Sequence, residues 1–237
     1  MFSESAELYD AIYSTFKDYA AEADAIARLV RTTHPSARTI LDVGCGTGEH
    51  AKHLRMRHGF VVDGLDIDPG LLAFARQKVP DANFVLADMG GFDLERRYDV
   101  VACMFSSIGY LRTIARVTAA LQCFRQHLNP HGIVIVEPWF PPGVLRIGKG
   151  TIRRGEVNGI RVERTSHTSV AGNVSTLTFT YHIERADGAQ TAREVHELGL
   201  FTSAEMLGGF RDAGLAATHN PVGLFDHRGL YVARAVA

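Results

Sequence analysis

Three groups of residues between positions 40 and 88 have the types and order to do chemistry together. Glycines at 44, 46 and 48 follow the apolar run Leu41-Asp42-Val43, Asp66 ends the next apolar run, and Asp88-Met89 ends a third. Glycine lets the backbone make left-handed turns and come close to a ligand. A carboxylate after the second run offers two oxygens to the paired hydroxyls of a ribose, a geometry that serine or asparagine matches poorly. Asp88 can accept from an adenine amino group, with Ile67 and Met89 as apolar faces for the ring. The set reads as a site for an adenosine-containing cofactor.

The glycine spacing narrows the choice. Dinucleotide sites use G-x-G-x-x-G, opening a helix whose free N–H groups hold a pyrophosphate. Here the third glycine position is Glu49, and an acid in the first helical turn repels phosphate. S-adenosylmethionine (SAM) carries no phosphate and fits better. Gly44 and Gly46 could merely make a turn, and Asp66 and Asp88 could merely cap loops. Three matches in the right order outweigh that reading.

Those residues need strands and helices to hold them. A helix is expected over 18–31, capped by Asp18, with Ala23, Ile26, Leu29 and Val30 on one face. A buried strand over 39–43 precedes a helix over 48–58, ended by Gly59. A strand over 60–66 leads to Asp68-Pro69, a cap with proline at the first helical position, and that helix stops before Pro80. Strands over 83–87, 98–105 and 132–137 and a helix near 113–128 complete a pattern of apolar strands alternating with helices. This is the α/β signature of a Rossmann-like, mostly parallel sheet covered on both faces. Beyond Pro138 the period changes to two: Leu177, Phe179, Tyr181 and Ile183 alternate with polar residues, as do Ile160 and Val162, and more weakly Val195, Glu197 and Gly199. An antiparallel β insertion is expected over 141–201, with its hairpins over 151–201, before a last helix opened by the capping box Thr202–Glu205 and a last strand over 230–235. The reading is one domain over 1–237.

Composition excludes several classes. The 237 residues are 46 % hydrophobic and 22 % charged with formal net charge −1, so no global field attracts nucleic acid or an acidic membrane. No apolar run is long enough to span a bilayer. Acids near the N-terminus speak against a signal peptide. Cys45, Cys103 and Cys123 are scattered, odd in number and without a C-x-x-C pair, which points to reduced core residues in a cytoplasmic protein with no metal site. His50, His53 and His58 read as a solvated helix face.

Three further stretches make the chain less generic: Lys17-Asp18-Tyr19-Ala20-Ala21-Glu22-Ala23, Met104-Phe105-Ser106-Ser107-Ile108-Gly109-Tyr110-Leu111 and Val136-Glu137-Pro138-Trp139. With Arg228-Gly229-Leu230, and with the likeness running from Leu8-Tyr9-Asp10 to Tyr231, the chain resembles the class I SAM-dependent methyltransferases, and among them the N,N-dimethyltransferases of thymidine-diphosphate (dTDP) amino sugars. The resemblance implies that Tyr19 holds the methionine end of SAM and that Met104 lies under it beside Met89. It implies that Tyr9, Ser107 and Tyr110 line the pocket for the sugar amine, with Tyr9 and Tyr110 as catalytic candidates. It places Glu137 and Trp139 in the pocket wall and Arg164 and Arg228 near the nucleotide diphosphate. Pro141-Pro142-Gly143 and the turn Phe225-Asp226-His227 depart from the family pattern.

The expected reaction is in-line methyl transfer to a neutral amine, with the chemistry supplied by the cofactor and alignment by the protein. Water or Tyr110 would take the proton. Rivals are a methyltransferase for another small molecule and a SAM-binding protein without turnover, in which 151–201 would form a homodimer interface. A nucleotide-dependent oxidoreductase is disfavoured by the glycine spacing.

Overall fold

Thr39–Val43 (β1) lies inside a seven-stranded sheet, third from one edge, and every one of its side chains after Thr39 is buried. The computed structural model describes residues 6–224 and 228–236; the expected departure at Phe225-Asp226-His227 lies outside the described residues. In chain order, Ala6–Tyr13 (α1), Tyr19–Thr33 (α2), β1, Glu49–His58 (α3), Val61–Asp66 (β2), Pro69–Lys78 (α4), Phe84–Leu86 (β3) and Tyr98–Cys103 (β4) come first. A 3₁₀ turn over Ser107–Leu111, Ile114–Gln126 (α5) and Leu128–Val136 (β5) follow. After the strands β6 (Gly148–Val157), β7 (Ile160–Ala171), β8 (Val174–Arg185) and β9 (Gly188–Gly199), the chain returns through Ser203–Asp212 (α6), Leu215–Asn220 (β10) and Leu230–Ala235 (β11).

The large sheet has the order β10-β11-β5-β4-β1-β2-β3. Its five strands from β5 to β3 are parallel, and β11 runs antiparallel to both β5 and β10. Strand order reverses between β1 and β4, and in such sheets the crevice at the carboxyl ends of those strands is where ligands bind. One face buries Ile40, Val62, Val100 and Ile135 against Ile26, Val30, Leu54 and Leu72. The other buries Val43, Val101, Val134 and Val136 against Val117, Leu121, Phe124 and Phe210. Apolar residues on both faces are what covered parallel strands require.

The expected caps are present. Asp18 accepts from the Ala21 N–H, Asp68 from the Gly70 and Leu71 N–H groups, and Thr202 and Glu205 close a capping box. Gly59 ends α3 at φ +70°.

Residues 148–199 form a separate four-stranded antiparallel sheet, β6-β7-β8-β9. Its first hairpin turns on Asn158-Gly159, both at positive φ, the conformation that suits the twist of a two-residue hairpin. Its inner face carries Ile160, Val162, Phe179, Tyr181 and Ile183, and α1 packs Leu8, Ile12 and Tyr13 onto them. A side chain at Gly155 would meet the Ala11 carbonyl oxygen at 2.5 Å, so β6 and α1 touch backbone to backbone.

The structure corrects three details. The alternation Val195, Glu197, Gly199 is out of phase: β9 turns Glu194, His196 and Leu198 inward and leaves Val195 half exposed. Two elements lie outside the expected pattern, α1 and β10. Leu-Ala-Ala-Thr-His-Asn over β10 carries little alternation, and its pairing with β11 supplies what its side chains do not.

Candidate active site

β1 ends in a loop with three left-handed glycines: Gly44 at φ +73°, Gly46 at +56° and Gly48 at +77°. They serve different ends. A side chain on Gly44 would collide with Ser107, its Cβ 2.7 Å away. One on Gly46 would meet nothing within 4 Å, so that side of the loop is open to a ligand. Gly48 caps α3 without a side chain.

Asp66, at the end of β2, steadies this loop. One carboxylate oxygen accepts from the Gly46 N–H at 2.9 Å and the other from the Asp68 N–H at 3.0 Å. Burial raises its carboxyl above the ordinary range, opposed by those backbone bonds. Each oxygen keeps lone-pair capacity for a further donor. Asp42, one strand away, is 2 % exposed and its Oδ2 has no hydrogen-bond partner among the described residues. Burial pushes its carboxyl up to about 6, the His50 ring opposes this and Asp66 adds to it.

Tyr9, Tyr19, Gly44, Gly46, Met104 and Ser107 line one solvent-open crevice. These six expected residues are brought together. Cys45, Thr47, Glu49, His50 and Phe105 complete its wall. Met89 lies alongside, its terminal methyl near the space a Gly44 side chain would occupy. Ile67, next to Asp66, is half exposed and lies outside the crevice lining. Asp88 is committed elsewhere: it accepts from the Gly90 N–H at 2.8 Å and pairs with Arg116 at 2.9 Å.

His50 is not on a solvated face. It is 8 % exposed, its Nε2 lies 2.7 Å from Glu22 Oε2, and its ring meets Tyr19 edge-on at 5.2 Å. Glu22 also accepts from Lys17 at 2.8 Å. His50 is the second residue of α3, two after Gly48, and α3 packs on α2, where Glu22 meets it. His58 is likewise engaged, 2.7 Å from Asp24; His53 lies 3.5 Å from Glu49. Glu49 pairs with Lys78 at 2.8 Å, and Lys78 also pairs with Asp10 of α1. Asp10 in turn accepts from Thr47 Oγ1 at 2.6 Å. Helix α1 is thus pinned across the glycine loop on one side and the second sheet on the other.

The acceptor side is built on a strained turn. Phe105 and Ser106 sit at φ +49° and +66°, uncommon for residues with side chains. Glu137, 6 % exposed, holds the turn by accepting from the Phe105 N–H at 2.7 Å. Burial raises its carboxyl, against the pull of Arg228 and Lys17. Lys17 lies 3.3 Å from the Phe105 ring centre and the Arg228 guanidinium 4.7 Å from it. Arg228 also faces the rings of Trp139 and Phe140 and reaches Ser106 Oγ at 3.3 Å. Trp139 donates to Ser175 Oγ at 2.9 Å.

Arg164 is 6 % exposed and lies between the rings of Phe179 at 4.3 Å and Tyr13 at 5.0 Å. Its Nε and Nη1 have no acceptor among the described residues. Tyr110 bonds to His196 Nδ1 at 3.1 Å. Burial raises the phenols of Tyr9 and Tyr110 well above their ordinary value, so both stay protonated at neutral pH. Burial likewise raises Cys45 and Cys103; neither thiol is a nucleophile. Among the described residues no group of three His, Cys, Asp or Glu is arranged to hold a metal, and no helix is long and apolar enough to cross a membrane.

The residues fit SAM on two observations. The open side of Gly46 leaves room for a ligand beside the Asp66 carboxylate that accepts from its N–H, and the buried Asp42 carboxylate keeps an oxygen with no partner among the described residues, a charge that a cationic ligand would offset.

Comparison with known proteins agrees with this geometry. A family model described as a methyltransferase domain matches residues 40–132. The chain is 41 % identical to the dTDP-3-amino-3,6-dideoxy-alpha-D-glucopyranose N,N-dimethyltransferase of Streptomyces fradiae, over 96 % of this chain and 89 % of that one. It is similar to the crystal structure of Streptomyces venezuelae DesVI, with TM-score 0.90, 38 % identity and 98 % of each chain covered. It is also similar to SAM-bound CalS10, an amino pentose methyltransferase from Micromonospora echinaspora involved in calicheamicin biosynthesis, with TM-score 0.84, 33 % identity and 95 % of each chain covered.

Proposed function

Since the chain belongs to the SAM-dependent amino-sugar N,N-dimethyltransferases, we propose that it methylates the amino group of a sugar carried on dTDP, twice in succession. The reading rests on one observation: a glycine-and-carboxylate crevice for a phosphate-free adenosyl cofactor adjoins a region carrying two aromatic-flanked arginines. SAM, when bound, supplies an electrophilic methyl group already activated by the sulfonium charge.

The protein aligns the partners. Asp66 accepts the ribose hydroxyls, and the open side of Gly46 admits the chain of the cofactor. Tyr19 and Met104 bound the methionine end, while Ile67 and Met89 bound the adenine. Asp88 stands near the adenine edge, although its carboxylate is shared with Arg116. Tyr9, Ser107 and Tyr110 face the amine, and Glu137 keeps Phe105 and Ser107 in place. Arg164 has two nitrogens, Nε and Nη1, without acceptors among the described residues, and with Arg228 it suits a diphosphate, since a guanidinium makes paired charge-assisted bonds. Holding amine and methyl at attack distance accounts for roughly 7–11 kcal/mol of barrier in favourable cases. Buried cysteines fit the reducing cytoplasm as the place of action.

The test is a methyl-transfer screen with SAM against dTDP-linked amino sugars, the corresponding free amino sugars, simple amines and phenols, read by mass spectrometry. Mono- and dimethylated dTDP-sugars, with far lower kcat/KM for the free sugars, are the expected products. Methylation of phenols or free amines with none of the nucleotide sugars refutes the reading.

A further inference from the structure

Tyr110 is the outer end of a polar chain that runs into the second sheet. Its hydroxyl lies 3.1 Å from His196 Nδ1. His196 Nε2 faces Glu194 Oε2 at 3.4 Å, and the same oxygen accepts from Tyr181 at 3.0 Å. His196 is 3 % exposed and Glu194 5 %, whereas Tyr110 is 37 % exposed. The ring of His196 packs on Phe179 at 5.1 Å. The chain therefore leads from the 3₁₀ turn, whose first residue, Ser107, lines the crevice, into a dry interior.

A buried carboxylate beside a buried imidazole costs desolvation that an apolar pair would avoid. The geometry gives it a use. An ionised carboxylate only accepts, so beside it Nε2 carries the hydrogen and Nδ1 is left as the acceptor. The Tyr110 hydroxyl then donates to Nδ1, and its oxygen lone pairs are free to turn toward the amine.

We propose that Tyr110, His196 and Glu194 form a proton relay that takes the proton from the incoming sugar ammonium and leaves the neutral amine that methyl transfer requires. This rests on the amino-sugar reading above. An aliphatic amine is mainly protonated at neutral pH. In the step, an ammonium N–H bond breaks and its electron pair stays on nitrogen. The proton passes to the Tyr110 oxygen as the phenolic proton passes to His196 Nδ1, and Glu194 stabilises the imidazolium. Tyr110 never becomes a phenolate, which its raised phenol would resist. Tyr110 is the catalytic residue; His196 and Glu194 position it and hold its proton. The other titratable and charged groups facing the relay are Tyr181 on β8, Arg164 on β7, Tyr13 and Tyr9 on α1, and Asp66 on β2.

The experiment measures kcat/KM for a dTDP-linked amino sugar from pH 6 to 10 in the wild type, His196→Asn and Tyr110→Phe, with SAM affinity by calorimetry. Asparagine keeps an acceptor near the Nδ1 position but cannot take a proton. His196→Asn is expected to lose about 100-fold at pH 7, the lower end for general acid–base catalysis. It should come within a few-fold of wild type near pH 9.5, where the amine is increasingly neutral in solution, with SAM affinity unchanged. Tyr110→Phe should show the same displaced profile. A His196→Asn profile equal to wild type, or one depressed by the same factor at every pH, overturns the relay and leaves the amino-sugar reading standing. Wild-type enzyme that binds SAM and turns over no nucleotide amino sugar overturns the reading and the relay with it.

Discussion

Replacing Asp42 by asparagine should make the protein more stable at pH 8 and poorer at holding SAM. Asp42 is buried on β1, with one carboxylate oxygen lacking a partner among the described residues. Burial raises its carboxyl from the ordinary 3.8 to about 6. A raised carboxyl binds its proton more tightly in the folded chain, so stability falls as pH rises through the interval between those values. The penalty is complete above the upper one. It amounts to about 3 kcal/mol at pH 8 and under about 1 kcal/mol at pH 4. The asparagine amide would resemble the protonated acid at every pH. The advantage of Asp42→Asn over wild type should therefore grow with pH, reaching about 6–12 °C in Tm at pH 8 for a chain of this size. Thermal denaturation at pH 4, 6 and 8 measures it. A Tm difference that is the same at pH 4 and pH 8, or a loss of stability only at pH 8, refutes the reasoning. Calorimetry should show SAM affinity falling in the same variant, because the orphan charge that strains the free protein is one that a cationic ligand offsets.

Two further substitutions probe the crevice. Gly44→Ala places a side chain at φ +73°, 2.7 Å from Ser107 Cβ, which costs about 1–3 kcal/mol from backbone strain alone; SAM binding should be lost, and unchanged affinity would mean the loop does not approach the ligand. Asp66→Asn puts an amide where the carboxylate accepts the Gly46 or Asp68 N–H and removes a charge-assisted bond of about 1.5–3 kcal/mol. The Kd for SAM should rise about 10- to 100-fold by calorimetry, and an unaltered Kd would remove Asp66 from the ribose site.

The cofactor half was legible because it is local in sequence. Each signal (the glycines, Asp66, the Asp68 cap) sits within a few residues of the strand end that positions it, so strand period and turn chemistry alone place it. The acceptor half is assembled from distant segments. His196 and Glu194 could not be read from β9 because alternation separates inside from outside only when the inside is apolar, and here it is polar. The outward Val195 misled for the same reason. His50 looked solvated among His53, Arg55 and Arg57, and only the packing of α3 on α2 brings Glu22 to it. Arg164 and Arg228 were found through the resemblance; on an alternating strand an arginine reads as outward, and nothing local announces an aromatic cage.

The turn at Phe105 and Ser106 explains how the two halves act as one site. The Phe105 ring has the Lys17 ammonium at 3.3 Å and the Arg228 guanidinium at 4.7 Å. Lys17 belongs to the cofactor side through Glu22 and His50, and Arg228 to the acceptor side through Trp139 and Phe140. Two cations close to one ring repel each other, and Glu137, buried and attractive to both, offsets that repulsion while its carboxylate pins the Phe105 N–H. Two successive residues at positive φ cost of the order of 1–3 kcal/mol each and persist only where their surroundings over-determine them. Here the surroundings are the Glu137 bond, the Ser106 hydroxyl on the Pro138 carbonyl at 2.8 Å and the two flanking cations. The strain holds Ser107 against Gly44 on one side and starts the turn that carries Tyr110 on the other, so methyl donor and amine are set by the same few backbone torsions.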